Sequence, residues 1–194
     1  MTEHYNQRKN SEGYADPTAY EAERHLIGKR SKRAGQLFEN IVDASCRFYE
    51  ELGIAKIEKT PEPMKVLSRM DKQGTFKACF TKAAQPDYKG TLKGGRAIIF
   101  EAKHTDQESI TYTRLTEAQL KAMEEYHAMG AECFILASFS FCDFYRIPWE
   151  EWRDMPLLYG RKYIKRCELE RFKIKENGNI LYFLDGLRCG DVHG

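Results

Sequence analysis

The 194-residue sequence predicts an α/β domain with a mixed central sheet. Three features predict it: a helical hydrophobic period that begins at Gly35, apolar strand-like segments in the second half of the chain, and a helix between the first two of these segments. Helices and strands that alternate along a chain bury their apolar sides on the two faces of one sheet. Hydrophobic residues make up 42% of the chain, which is enough for one substantial core.

Ahead of the domain, which we expect over residues 34–194, residues 1–33 predict a flexible basic arm. This segment has no hydrophobic period and mixes glycine, proline, asparagine and charged residues. Residues 24–33 contain five lysines or arginines and no acid. A solubilising tail and an arm that binds nucleic acid both fit this composition.

The domain begins with a helix and a strand. From Gly35 onward, apolar residues recur at spacings of three and four, as one buried helix face requires. They are Leu37, Ile41, Ala44, Phe48 and Leu52. Gly53 is a suitable helix end, and residues 54–57 predict the first strand.

A hairpin and the rest of the sheet follow. Two extended segments, 64–70 and 75–80, flank the turn sequence DKQG and predict a β-hairpin inserted over residues 63–82. Strand patterns return at residues 97–103, 132–140 and 142–149. Thr116 begins a helix between the first two of these, and Gln119 stands three residues later, as in a capping box.

Charge and cysteine usage exclude some classes of protein. The net charge of +2 does not by itself indicate a nucleic-acid-binding protein. The six cysteines are scattered without a Cys-x-x-Cys pair, so we expect neither a disulfide framework nor a zinc finger, and we expect a cytoplasmic protein. Because no apolar stretch is long enough to cross a bilayer, we expect no membrane partner.

The strand at residues 97–103 ends on charges that predict a metal site. Alternate residues of a strand share a face, so Glu101 and Lys103 project together while Phe100 and Ala102 point into the core. If Asp87 lies on an adjacent strand or turn, two carboxylates and one ammonium converge. Hard oxygen ligands of this kind suit Mg²⁺ or Mn²⁺, and such a site favours metal-assisted phosphodiester hydrolysis. A strand that simply ends in solvent is the alternative.

Several sequence blocks stand in one order over residues 33–171: FENIVDASCRFYEELGIAKIEKTPEPMKVL, PDYKG followed by GGRAIIFEAKHT, LTEAQLKAMEEYHAMGAECFILASF and GRKYIKRCELE. They resemble the PD-(D/E)-x-K nucleases and, among them, the RecU-type Holliday junction resolvases of Gram-positive bacteria and their phages. The resemblance implies a restriction-endonuclease-like fold, a mixed central sheet flanked by helices, from which the hairpin at 63–82 protrudes as a stalk.

The resemblance also implies roles for individual residues. Asp87 and Glu101 would hold a divalent metal, Mg²⁺ with Mn²⁺ as a substitute, and Lys103 would stabilise the transition state or place the attacking water. Gln119 matches a family glutamine that lines the same site and holds the metal, beside its alternative role in the capping box. Glu39 matches a family glutamate near the active centre, although an ordinary helix-surface glutamate fits its position equally well.

One position departs from the family pattern. Gln85 stands where the family usually has a threonine that helps to hold the metal, and its amide oxygen could reach a metal directly or through water. The spacing from Asp87 to Glu101 is also one residue longer, with Gly94–Gly95 as the place of the insertion. A turn absorbs that residue without moving the acids.

The stalk and the arm are the predicted DNA contacts. Lysine and arginine outnumber acids on both, as a surface that follows phosphates requires, although an exposed hairpin without DNA contacts can also be rich in lysine. Phe80 adds an apolar or stacking group. The predicted set is Arg30, Lys32, Arg33, Lys65, Arg69, Lys72, Lys77, Phe80 and Lys82.

The function that the resemblance implies is a Mg²⁺-dependent endonuclease that resolves four-way DNA junctions during recombination and repair. Two symmetric sites that nick opposite strands imply a homodimer, and a recombinase is a further candidate partner. An endonuclease that cuts linear duplex and a junction-binding accessory that does not cut are the alternatives. Carboxylates repel phosphates, so the presence of two carboxylates at the strand end argues against an accessory that only binds junctions.

Overall fold

The structure is a computed structural model that describes residues 17–61, 64–68, 72, 74–80 and 85–187. For residues 17–24 and Phe80 it describes the backbone alone. The chain divides into two compact units, Met1–Gln36 and Leu37–Gly194. The sequence placed the domain boundary after residue 33, and both positions lie within the helix Pro17–Glu51.

Helices and strands alternate along the chain. The helices are α1 (Pro17–Glu51), α2 (Glu117–Ala128), α3 (Trp149–Arg153) and α4 (Met155–Tyr159). The strands are β1 (Ala55–Lys59), β2 (Met64–Val66), β3 (Ala78–Phe80), β4 (Tyr88–Leu92), β5 (Ala97–Thr105), β6 (Ser109–Thr111), β7 (Glu132–Phe139), β8 (Asp143–Pro148), β9 (Tyr163–Lys165), β10 (Glu176–Asn177) and β11 (Ile180–Leu181). Short 3-10 helices lie at Tyr112–Arg114, Arg166–Glu168 and Glu170–Phe172. Among the described helices, none is both long and apolar enough to cross a membrane.

A five-stranded sheet in the order β1–β4–β5–β7–β8 forms the centre of the second unit. Strands β5 and β7 are parallel, whereas the pairs β1–β4, β4–β5 and β7–β8 are antiparallel. A parallel pair needs a crossover connection, and α2 lies within the one that joins β5 to β7. The predicted fold class, a mixed central sheet with helices beside it, is confirmed.

Two hydrophobic cores lie on the opposite faces of this sheet. On one face Phe38 and neighbouring residues of α1 pack with the aromatic rings of the sheet. The rings of Tyr88, Phe100 and Phe134 stack across β4, β5 and β7 with 4.8 Å between successive centroids. On the other face Met123 of α2 packs in a second core with sheet residues and with α3. The sheet is therefore covered on both faces, as an α/β domain requires.

The alternation of β5 decides which face carries the charged residues. Ile98, Phe100 and Ala102 belong to the core on the α1 side, and Ile99 belongs to the core on the α2 side. Glu101 and Lys103 share the parity of Ile99, so they project toward α2. The end of β5 on this side therefore carries the predicted site.

Helix α1 differs from the sequence prediction in two ways. Residues 17–33 of the predicted flexible arm are helical, which the absence of a hydrophobic period did not predict, while residues 1–16 lie outside the described residues. The buried face is also turned by about 100°, one residue along the chain. It is formed by Phe38, Val42, Ser45, Cys46 and Tyr49, whereas Leu37 and Leu52 are 51% and 56% exposed. Apolar residues stand in adjacent pairs such as 41–42 and 48–49, so spacing alone could not choose between the two faces.

Strand β4 was missed by the sequence prediction, which left Asp87 on a strand or a turn. Its sequence YKGTL contains a glycine, a residue that weakens a strand pattern. The small elements after Pro148 were also not predicted. The inserted hairpin is present, since β2 and β3 pair antiparallel from Met64–Phe80 to Val66–Ala78, but each strand is only three residues long.

Gly90 allows β4 to pass close to β1. A Cβ atom at this position would lie 2.2 Å from the carbonyl oxygen of Lys56 and 2.7 Å from the Cα of Ile57, both of which are backbone atoms. We expect Gly90→Ala to lower the free energy of unfolding by about 3 kcal/mol, because β1 must move. Urea unfolding measures this loss. Gly35→Ala is the control: a Cβ at this helical position meets no described atom within 4 Å, so the change should stabilise the protein by about 0.5–1 kcal/mol. Equal free energies of unfolding for the two variants would show that β1 can shift to accommodate the added methyl group without a cost in stability.

Candidate active site

The three residues predicted to form the catalytic centre meet where β4 begins beside β5. Tyr88 pairs with Phe100 in the antiparallel register, so Asp87, one residue earlier, lies beside Glu101. Asp87 Oδ2 accepts hydrogen bonds from the Ala102 backbone N–H at 3.1 Å and from Lys103 Nζ at 2.7 Å. Lys103 Nζ also lies 2.5 Å from Glu101 Oε2. One ammonium therefore bridges two carboxylates.

Burial controls the charges at this centre. The side chain of Glu101 is 0% exposed, and those of Lys103 and Asp87 are 15% and 27% exposed. Burial raises the pKa of Glu101 to about 8; Lys103 opposes this shift and Asp87 adds to it. Burial alone lowers the pKa of Lys103, but the carboxylates of Glu101 and Asp87 outweigh it and hold that pKa above its usual value. Lys103 is therefore an ammonium in the protein without metal.

One oxygen of the centre has no hydrogen-bond partner among the described residues. It is the buried Glu101 Oε1, and an unmade hydrogen bond is costly for a carboxylate oxygen removed from water. A cation bound at this oxygen would remove that cost and would also offset the repulsion between the two acids. The donor set is hard oxygen, which suits Mg²⁺ or Mn²⁺. Within the described residues no three His, Cys, Asp or Glu side chains gather at one point, so water and neutral oxygens would complete the shell.

Gln119 lines the centre and also forms the predicted capping box. Its backbone N–H and side chain form the capping box with Thr116 at the start of α2. Its Nε2 also donates a hydrogen bond of 2.8 Å to Glu101 Oε2. Because its Oε1 accepts hydrogen bonds from Thr116, this amide presents N–H groups rather than an oxygen to the centre. In this arrangement Gln119 orients Glu101, and its side chain must rotate before it can bind a metal.

Glu39 approaches the centre through a lysine that the sequence analysis did not single out. Glu39 Oε2 lies 2.6 Å from Lys59 Nζ, and Lys59 of β1 is the register partner of Tyr88. Burial lowers the pKa of Lys59, but Glu39, with Asp43 and Asp87, raises it above its usual value. In the part of the chain that the structure describes, the Glu39 carboxylate is paired with Lys59 and makes no contact with Asp87 or Glu101.

A second acid on α1, Asp43, contacts β4 on the α1 side of the sheet, the face opposite to Glu101 and Lys103. Tyr88 Oη donates a hydrogen bond of 2.8 Å to Asp43 Oδ1 and lies 3.3 Å from the Glu39 carbonyl oxygen. Burial, followed by Asp43, raises the pKa of Tyr88, so its hydroxyl remains a donor. Glu39 and Asp43 are four residues apart on one helix, and this spacing is the sequence signal that could have revealed Asp43.

Gln85 does not join the two catalytic acids. Its Oε1 accepts a hydrogen bond of 3.3 Å from Lys89 Nζ, and no contact with Asp87 or Glu101 is present among the described residues. The metal-ligand role predicted for Gln85 therefore has no support in this geometry. His104, the residue after Lys103 on β5, points to the other face, and its ring stacks on Phe141 on the α1 side of the sheet.

The predicted DNA contacts are only partly visible. Two of them, Arg69 and Lys82, lie outside the described residues, and the side chain of Phe80 is likewise not described. The other predicted side chains are exposed, as contacts with phosphates require. They are Arg30, Lys32, Arg33, Lys65, Lys72 and Lys77.

Comparison with known proteins identifies the family. The family described as Recombination protein U, RecU, matches residues 33–188, which include Asp87, Glu101 and Lys103. The chain belongs to the RecU family.

Individual relatives agree with this assignment. The Holliday junction resolvase RecU of Geobacillus kaustophilus (strain HTA426) is 32% identical over 147 residues, covering 71% of this chain and 72% of the relative. The Holliday junction resolvase RecU of Streptococcus sanguinis (strain SK36) is 28% identical over 154 residues, with coverage of 71% and 76%. Among solved structures, Hjc, a Holliday junction resolvase from Archaeoglobus fulgidus, matches with a TM-score of 0.43 and 12% identity, covering 71% of this chain and 93% of Hjc.

Proposed function

We propose that this protein is a Holliday junction resolvase, an endonuclease that cuts four-way DNA junctions with a divalent metal at Asp87 and Glu101. The observation that carries the proposal is the unpartnered buried oxygen of Glu101, beside a second carboxylate and a bridging ammonium. Curated relatives at about 30% identity are named Holliday junction resolvases. A site with this composition in a member of this family supports phosphodiester hydrolysis.

The residues of the centre divide the chemistry among them. Asp87 and Glu101 would hold Mg²⁺, with Mn²⁺ as a substitute, and the bound ion would supply an activated water and charge stabilisation at the phosphate. Gln119 keeps Glu101 in place through its amide. Glu39 pairs with Lys59 and influences the centre only through that lysine. Lys103 donates N–H groups toward the oxygens of the scissile phosphate, where negative charge develops.

The raised pKa of Glu101 leads to a pH prediction. Below pH 8 the carboxyl carries a proton that the cation must displace, so metal affinity falls as the pH falls. We expect the Mg²⁺ concentration for half-maximal cleavage to rise by up to about tenfold for each pH unit below 8, and to level off above it. Titration of Mg²⁺ between pH 6 and pH 9 measures this dependence, and a flat profile would contradict it.

The remaining parts of the proposal concern DNA and partners. The exposed lysines of the hairpin and the exposed basic residues of α1 would contact the phosphates of the four arms. A homodimer would place two centres on opposite strands of the junction. The five described cysteines are free thiols, which agrees with a cytoplasmic protein. Its site of action there would be the nucleoid, and a recombinase remains a candidate partner.

A comparison of substrates tests the proposed function. A labelled four-way junction and a linear duplex of the same sequence are incubated with the protein in Mg²⁺ and in EDTA. We expect paired nicks on the junction alone, and none in EDTA. Equal cutting of the duplex would identify a linear-duplex endonuclease instead. Tight junction binding without cutting in Mg²⁺ or Mn²⁺ would identify a junction-binding accessory.

A further inference from the structure

A surface cavity lies beside the catalytic centre, between the start of β4 and helix α2. Its volume is about 390 Å³, which is within the usual range for small-ligand sites. It is lined by Gln85, Pro86, Lys89, Ala122, Glu125, Tyr126 and Met129. None of the roles assigned above uses this cavity.

Lys89 supplies the cavity with a positive charge that is paired with no acid in the described part of the chain. Its Nζ lies 3.0 Å from Tyr126 Oη, 3.3 Å from Gln85 Oε1 and 5.1 Å from the centroid of the Tyr126 ring. All of these partners are neutral, and among the described residues no carboxylate is paired with Lys89. Lys56 and Lys59 on the neighbouring strand are both paired with glutamates. An unpaired lysine held in place by neutral groups is suited to an anion such as a phosphate.

The cavity is directly next to the catalytic acids. Asp87 and Lys89 have the same parity along the strand, so their side chains lie on one face, roughly 6.6 Å apart along the chain. Helix α2 reaches both places as well, because Gln119 and Tyr126 lie two turns, roughly 10.5 Å, apart on one side of the helix. Gln119 contacts Glu101, and Tyr126 contacts Lys89. One helix and one strand therefore join the catalytic centre to the cavity.

We propose that this cavity binds the nucleotide next to the scissile phosphate on the cut strand, an inference that rests on the proposed function. Lys89 pairs with the phosphate of that nucleotide, and the half-buried ring of Tyr126 packs against its base. Glu125 lines the same cavity and lies 3.9 Å from its helix neighbour Lys121. Its negative charge disfavours a second phosphate, so the cavity accepts one phosphate and a neutral base.

A cycle of paired changes in protein and DNA tests the phosphate contact. The position of the cut is first mapped on a fixed four-way junction. An uncharged methylphosphonate linkage then replaces the phosphodiester linkage on the 5′ or the 3′ side of the cut. If the protein cuts no junction, each phosphodiester linkage of the junction core is replaced in turn. The Kd of each DNA is measured in EDTA for the wild type, for Lys89→Met and for Lys93→Met. Lys93 is an exposed lysine at the far end of β4 and serves as the charge-matched control.

At one linkage we expect methylphosphonate to weaken wild-type binding about fivefold or more and to have no effect on Lys89→Met. Lys93→Met should behave like the wild type. If methylphosphonate weakens Lys89→Met as much as the wild type at every linkage, Lys89 makes no phosphate contact and the inference is wrong. A wild type that fails to cut any junction overturns the proposed function instead, while the Kd cycle still reports on the cavity.

A second cycle tests the base contact. An abasic nucleotide beside the cut should weaken wild-type binding about tenfold and Tyr126→Leu much less, because the leucine has no aromatic face to lose. Tyr126 is half-buried, so thermal unfolding of Tyr126→Leu is measured alongside. If that variant does not fold, Tyr126→Phe replaces it: the ring remains, and the abasic penalty should remain as in the wild type. If the abasic nucleotide weakens binding by Tyr126→Leu as much as binding by the wild type, the ring does not contact the base. The same conclusion follows if the abasic nucleotide does not weaken binding by Tyr126→Phe.

Discussion

Asp87→Asn is expected to reduce junction cleavage by at least about 10³-fold while junction binding persists. The amide keeps the shape of the side chain and can still accept the hydrogen bond of the Ala102 N–H. It removes one of the two negative charges that hold the cation. In EDTA, binding should be unchanged or slightly tighter, because a carboxylate that faces a phosphate repels it. Single-turnover rates with a labelled junction measure the first effect, and the Kd in EDTA measures the second.

The control for this variant is Asp106→Asn. Asp106 lies beyond the end of β5, its side chain is 47% exposed, and it contacts His104 rather than the catalytic lysine. Its cleavage rate should stay within about twofold of the wild-type rate. If Asp87→Asn cleaves junctions at a rate near that of Asp106→Asn, Asp87 is not part of the catalytic centre.

Lys103→Met is expected to affect stability and catalysis together. In the protein without metal, Lys103 neutralises two carboxylates, one of which is 0% exposed. Its removal leaves that buried charge without a partner, so we expect a loss of about 3 kcal/mol in the free energy of unfolding at pH 9. A smaller loss is expected at pH 6, because Glu101, whose pKa is already raised to about 8, takes up a proton. Added Mg²⁺ or Mn²⁺ should restore part of the stability.

Catalysis by Lys103→Met should fall by about 10²–10³-fold, since the scissile phosphate loses a charged donor. Urea unfolding in EDTA at the two pH values and single-turnover cleavage provide the measurements. Lys93→Met, which removes the same charge from an exposed turn, should change neither quantity. A Lys103→Met variant as stable as the wild type at pH 9 would mean that the bridge between the two carboxylates does not form in solution.

Much of the centre could be predicted from sequence because a strand has a simple geometry. Alternation along β5 places Glu101 and Lys103 on one face, and this pairing holds in the structure. The position of Asp87 depended on β4, whose glycine-containing sequence carries a weak strand signal. The prediction that Asp87 lies beside Glu101 and Lys103 therefore came from the resemblance to the family motif and not from periodicity.

Other parts of the structure depend on contacts that no local pattern encodes. The buried face of α1 was chosen wrongly because Ile41–Val42 and Phe48–Tyr49 offer apolar residues on two adjacent faces. The aromatic layer of the sheet selects the face that includes Phe38 and Tyr49. Lys59 and Lys89 could not be assigned either, since each depends on which strand or helix becomes its neighbour.

The binding of Mn²⁺ to the DNA-free protein tests most directly whether the buried acids form a metal site. Electron paramagnetic resonance at pH 8 reports free Mn²⁺ in the presence of the wild type, of Glu101→Gln and of Glu125→Gln. Glu125 is 63% exposed on α2 and serves as the control. We expect the wild type and Glu125→Gln to bind Mn²⁺ equally, and Glu101→Gln to lose that binding. Unchanged Mn²⁺ binding by Glu101→Gln would contradict the assignment of the unpartnered Glu101 oxygen as a metal ligand.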